Sequence, residues 1–102
     1  MRKITMEAQK AFWDNGYFKR DNTTVLNGIM TLHSTIIASH SDRFLSLNSG
    51  GYRTNTTKER LNGVLHRLGF VIKSKQGEWS IYNSQNGESF LFVDGIQLRL
   101  GE

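Results

Sequence analysis

Three sets of side chains in this sequence could carry chemistry: its histidines, a serine–histidine–aspartate neighbourhood, and a scatter of lysines and arginines. His33, His40 and His66 are the only histidines. The seven-residue step from His33 to His40 is odd, which would put the two on opposite faces of one continuous strand. With no cysteine and no close carboxylate to complete a shell, that pattern predicts no zinc site. Ser39, His40 and Asp42 name the members of a hydrolytic triad. Immediate neighbours rarely present triad geometry, however, and no nucleophile elbow precedes them. Gly50-Gly51 lacks the downstream Gly-Lys-Ser/Thr of a phosphate loop. These readings predict no catalytic residue, no metal, no cofactor and no enzyme.

The basic residues point to binding. Thirteen Lys and Arg against nine Asp and Glu give a net charge of +4, a mild bias towards phosphate-bearing or acidic partners. Lys58, Arg60 and Arg67 fall off the apolar stripe of a predicted helix, with Asn62 and His66 beside them. A helix with free N-terminal amides and nearby cations can hold a phosphate or enter a groove. Lys19, Arg20 and Arg53 are supporting charges, and in Tyr17-Phe18-Lys19-Arg20 rings alternate with cations as in single-strand binders. A plainer reading competes: Arg60 and Arg67 solvate the outer helix face, His66 and Arg67 complement the negative end of the helix, and the rings belong to the core.

The elements that must position these residues are legible in outline. Thr56 and Glu59 stand three apart as in a capping box, Leu61, Val64, Leu65 and Leu68 recur at helical spacing, and Gly69 supplies the stop. Thr5 reads as the cap of an earlier helix to about Asn15, ended by Gly16. Its buried stripe is Ala8, Ala11 and Phe12, widened by Met6 and Trp13. Tyr17 to Asn22 could be extended or loop. Asn27-Gly28 between Thr23–Leu26 and Ile29–Leu32 predicts a two-residue hairpin. Thr35 to Ser39 and Phe44 to Asn48 form a second strand pair, and Ser49-Gly50-Gly51 a flexible connection. From Phe70 onward, turns at Gln76-Gly77, Asn86-Gly87 and Asp94-Gly95 predict an antiparallel meander ending in Ile96–Leu100. The sum is an α+β fold in one domain over residues 1–102, with the capped helix laid on the sheet. A winged helix-turn-helix is the runner-up, and it needs a helix directly before Thr56, where the sequence reads as strand and turn. If Ile96–Leu100 lies at a sheet edge it could pair with a second copy or a host protein; the alternative is a strand inside the meander. Phe18 to Thr24 and Tyr52 to Thr57 share a short pattern, but their flanking periodicities differ and predict no repeat.

The segment from about Thr31 to Tyr82 resembles a group of small, largely uncharacterised bacteriophage proteins. The resemblance rests on Thr35-Ile36-Ile37-Ala38, Gly51-Tyr52, the string Thr54-Asn55-Thr56-Thr57-Lys58-Glu59-Arg60-Leu61-Asn62, and Lys75-Gln76-Gly77-Glu78-Trp79. Phe18-Lys19 to Thr23 also fits, and correspondence is least from Ser84 onward. The resemblance implies a viral origin and an auxiliary role inside the infected bacterial cytoplasm. No apolar leader and no membrane-length run is present, so a cytosolic protein without membrane contact is expected. Two roles follow as expectations: nucleic-acid binding, DNA or RNA, through the basic helix face, or docking on a host bacterial protein as an inhibitor or adaptor.

Overall fold

Short strands, many of them joined by tight turns, make up more of this molecule than its two helices do. The computed structural model describes residues 1–101. The elements are α1 (Lys3–Trp13), β1 (Tyr17–Arg20), β2 (Thr23–Leu26), β3 (Ile29–Leu32), β4 (Thr35–His40), β5 (Phe44–Leu47), α2 (Asn55–His66), β6 (Phe70–Lys75), β7 (Glu78–Asn83), β8 (Ser89–Leu91) and β9 (Ile96–Arg99). This is an α+β fold. At Asn27-Gly28 both residues have positive φ, 51° and 76°, the geometry that a tight turn between twisted strands demands.

The expected single meander after α2 divides. β6, β7 and β8 form a three-stranded sheet of their own, whereas β9 leaves them and pairs antiparallel with β5. The large sheet therefore has the order β1-β2-β3-β4-β5-β9, with β9 at one edge. The crossing is anchored at Asp94, whose Oδ1 accepts from the N–H and the hydroxyl of Ser49 at 2.8 and 2.7 Å. Ser49-Gly50-Gly51, expected to be a flexible connection, is fastened there. Tyr17–Arg20 is a strand, paired along its length with β2.

The inner face of the large sheet meets the helices. Phe18, Val25, Met30, Ala38, Leu47 and Ile96 align across the six strands, and the four central ones are fully buried. Ala8 and Phe12 of α1 and Leu61, Val64 and Leu65 of α2 close over them, with Ile72, Trp79, Ile81 and Phe92 completing the core.

Both helices begin elsewhere than their sequence signals suggest. Thr54 caps α2, its Oγ1 accepting from the Thr57 N–H at 3.2 Å. The Thr56–Glu59 box does not form, because Glu59 is drawn to Arg2 and Arg60 instead. α1 starts at Lys3 without a side-chain cap. Thr5 lies inside it and is buried, while Met6 is exposed. Gly69, at φ 80°, ends the second helical segment as its position predicts. The Phe18–Thr24 and Tyr52–Thr57 stretches adopt strand and helix-entry conformations respectively, so they are not copies of one unit.

Candidate functional site

The basic helix face read from sequence does not exist as a surface. Arg60 is 1% exposed. Its Nε donates to Thr23 Oγ1 at 3.0 Å, and one terminal nitrogen donates to Thr5 Oγ1 at 2.8 Å and to Glu59 Oε1 at 2.6 Å. A buried guanidinium is tolerated because these groups satisfy it, and Arg60 thereby joins α1, β2 and α2. It is unavailable to nucleic acid.

The five other cations are dispersed. Lys58 is half-buried and donates to Ser74 Oγ at 3.1 Å. Arg67, nine residues on, stands about 13 Å further along the axis and half a turn away, its guanidinium 5.5 Å from the Trp13 ring. Arg53 lies against Trp79 and Phe92, 5.1 and 4.9 Å from their centroids, and its Nε donates to Ser49 Oγ at 3.2 Å. Its charge also acts on Asp94. Partial burial raises the Asp94 carboxyl, but the N–H and hydroxyl of Ser49, the Arg53 charge and the Gly51 N–H outweigh it and hold the carboxyl below its ordinary value. Lys19 and Arg20 point to opposite faces of β1. Arg20 turns to the helix side, 3.5 Å from Glu7 of α1, leaving Lys19 on the outer side.

The histidines are not placed for joint chemistry. His33 lies in the turn between β3 and β4 with φ 58° and shares no strand with His40. His40 Nε2 donates to the Phe12 carbonyl at 2.7 Å, and its ring packs on Phe12 and Trp13. That uses the nitrogen a triad would need. Among the described residues no group of three His, Cys, Asp or Glu side chains could hold a metal ion. A cavity of about 570 Å³ opens at the start of α2 between Leu32, Ile37, Tyr52 and Thr56. Its buried hydroxyls are already engaged: Thr57 with Thr54, and Ser49 with Asp94.

The surface that stands out is the outer face of the large sheet. Tyr17, Leu26, Ile29, Ser39, Ser46 and Gln97 align across all six strands, one register position from the buried row. Lys19, Thr24, Thr31 and Ile36 form a parallel row, and Phe44 and Arg99 face each other at the far corner. Tyr17, Leu26, Ile29, Ile36 and Phe44 are 39–65% exposed, because both helices lie on the other side. A bulge at Met30/Thr31 turns both Ile37 and Ala38 inward and leaves Ile36 outside. Short Ser39 and Ser46 beside Ile36 open a hollow of about 240 Å³. No carboxylate stands among these paired positions, whereas Lys19 and Arg99 do. Three further exposed apolar residues, Phe90, Leu91 and Val93, lie on or beside β8.

Sequence reasoning reached Tyr17 and Lys19 but missed Leu26, Ile29, Ile36 and Phe44. The available signal was adjacency. Val25-Leu26, Ile29-Met30 and Ile36-Ile37 each offer one apolar side chain to either face, and a chain with two helices covers only one.

Among the described residues no helix is long and apolar enough to cross a membrane. The family model described as Kyanoviridae Gp96 protein matches residues 1–99. No curated protein and no solved structure matches the chain.

Proposed function

The chain belongs to the Kyanoviridae Gp96 protein family, a family of bacteriophage proteins, and from that premise we propose that it acts by docking on a protein of the infected cell. The contact is made with the open face of the large sheet. One observation carries this reading: Tyr17, Leu26 and Ile29 stand side by side and exposed in one row of the sheet face that neither helix covers, with Ile36 and Phe44 exposed on the same face. Exposed apolar residues gathered on one face mark interaction sites, while scattered ones mean little. Tyr17 and Phe44 offer rigid anchor area, and the hollow at Ser39–Ser46 can receive a side chain of the partner. Lys19 and Arg99, with no carboxylate among the paired positions of this face, favour a partner with an acidic rim.

A second reading, nucleic-acid binding, is supported by the same absence of carboxylates and by Tyr17 beside Lys19. Stacking on the exposed ring would carry it, in place of the helix. Of the six cations named from sequence, only Lys19 remains in it.

Immobilised protein exposed to bacterial lysate, in parallel with and without nuclease treatment, tests both. One stoichiometric protein, retained by the wild type and lost with Ile36→Glu, is the expected result. Retention of nucleic acid alone, released steeply by added salt, would move the assignment to the second reading. A protein retained equally by Ile36→Glu would overturn the use of this face.

A further inference from the structure

Independently of what the open face binds, we infer that two copies of the chain pair edge to edge through β9, making one continuous sheet. The hydrogen bonds that β9 makes to β5 decide which of its backbone groups point outward. Leu100 N–H donates to Arg43 O at 2.7 Å, which makes Phe44 and Arg99 a pair that exchanges no bonds directly. Alternation then assigns Leu98 to bond with Leu45 and leaves the N–H and C=O of Gln97 and Arg99 pointing outward. Among the described residues, β5 is the one strand hydrogen-bonded to β9.

The two edges of the large sheet differ. β1 carries Lys19 on its outer side and Arg20 on its helix side, and an inward-pointing charge is a common guard against edge pairing. β9 has only Arg99, on the outer side, and the chain contains no proline to block it. Ile96, Leu98 and Leu100 pack against the core yet stay half-exposed, as edge residues do when the neighbouring strand position is empty.

The edge is complementary to itself in one register. Placing a two-fold axis at Leu98 sets Leu98 against Leu98 of the second copy, and Ile96 against Leu100 of the second copy, all on the helix side. Gln97 then exchanges both bonds with Arg99 of the second copy, twice per dimer. Centring on Arg99 would oppose two guanidiniums, and centring on Gln97 would carry Arg99 past the strand end to Gly95. Because the axis is perpendicular to the sheet, both open faces look the same way and the interaction surface doubles.

Sedimentation of the full chain over a wide concentration range tests this, with Gln97→Glu and Gln97→Arg beside the wild type. Gln97 is exposed, so both variants leave the fold unchanged. The register predicts concentration-dependent dimers that tighten about tenfold in Gln97→Glu, where each glutamate meets an arginine. Gln97→Arg should weaken them by a similar factor. A chain that stays monomeric even as Gln97→Glu overturns the inference, and so does a dimer whose affinity ignores residue 97.

Discussion

Arg60 shows how one side chain can look like a functional group and serve as a fastening. Its position off the leucine stripe suggested solvent, but the neighbouring α1 widens what α2 buries, and Thr5, Thr23 and Glu59 absorb its donors. Truncation to alanine would strand the buried Thr5 hydroxyl, take from Thr23 one of its two hydrogen bonds and leave a void. Arg60→Ala should therefore cost roughly 3 kcal/mol in urea unfolding, whereas Arg60→Met, apolar and similar in length, should cost clearly less. Asp94 makes a pH-dependent contribution. Its folded carboxyl is held below the ordinary value, so the stability it adds is present above about pH 4. That stability is lost as pH falls through the lowered folded pKa. Thermal melts of Asp94→Asn should accordingly show a smaller loss of midpoint on acidification than the wild type; equal slopes would contradict the assignment.

Among the elements, α2 is the best test of what the sequence could say. Its existence, apolar face and glycine stop were legible because periodicity and a positive-φ stop are local properties. Its first turn was not, since Thr54 and Thr56 are both good caps and the choice depends on Glu59 finding Arg2 and Arg60. Thr54→Ala should lose about 1 kcal/mol and Thr56→Ala much less, in the same unfolding assay. The string Thr54 to Asn62 proves architectural almost residue by residue. Thr57 is buried under the cap, Lys58 reaches Ser74, and Leu61 is core. Asn62 clips β6, accepting from the Ile72 N–H at 2.6 Å and donating to the Ile72 carbonyl at 3.3 Å. Gly63 belongs to the same helix–helix contact: a methyl there would strike Cγ2 of Thr5, whose rotamer Arg60 holds. Gly63→Ala should thus destabilise by about 1–3 kcal/mol, despite alanine's better helix propensity.

At the scale of the whole molecule, the α+β class and most strands followed from turn chemistry and alternation, whereas sheet membership did not. The departure of β9 from β8 to β5 is a long-range choice made by Ser49 and Asp94, which lie 45 residues apart. The same distance between sequence and arrangement hid the candidate surface. The cations that drew attention are scattered or buried, while the apolar residues of the exposed face sat beside core residues in each strand. If the open sheet face is the working surface, a single charge placed on it should separate binding from folding. The direct measurement compares capture of the cellular partner by wild type, Ile36→Glu, and Met6→Glu, the last an exposed apolar residue on α1. With all three melting alike, the account predicts capture by wild type and Met6→Glu and its loss in Ile36→Glu. Undiminished capture by Ile36→Glu, or loss with Met6→Glu instead, would contradict it.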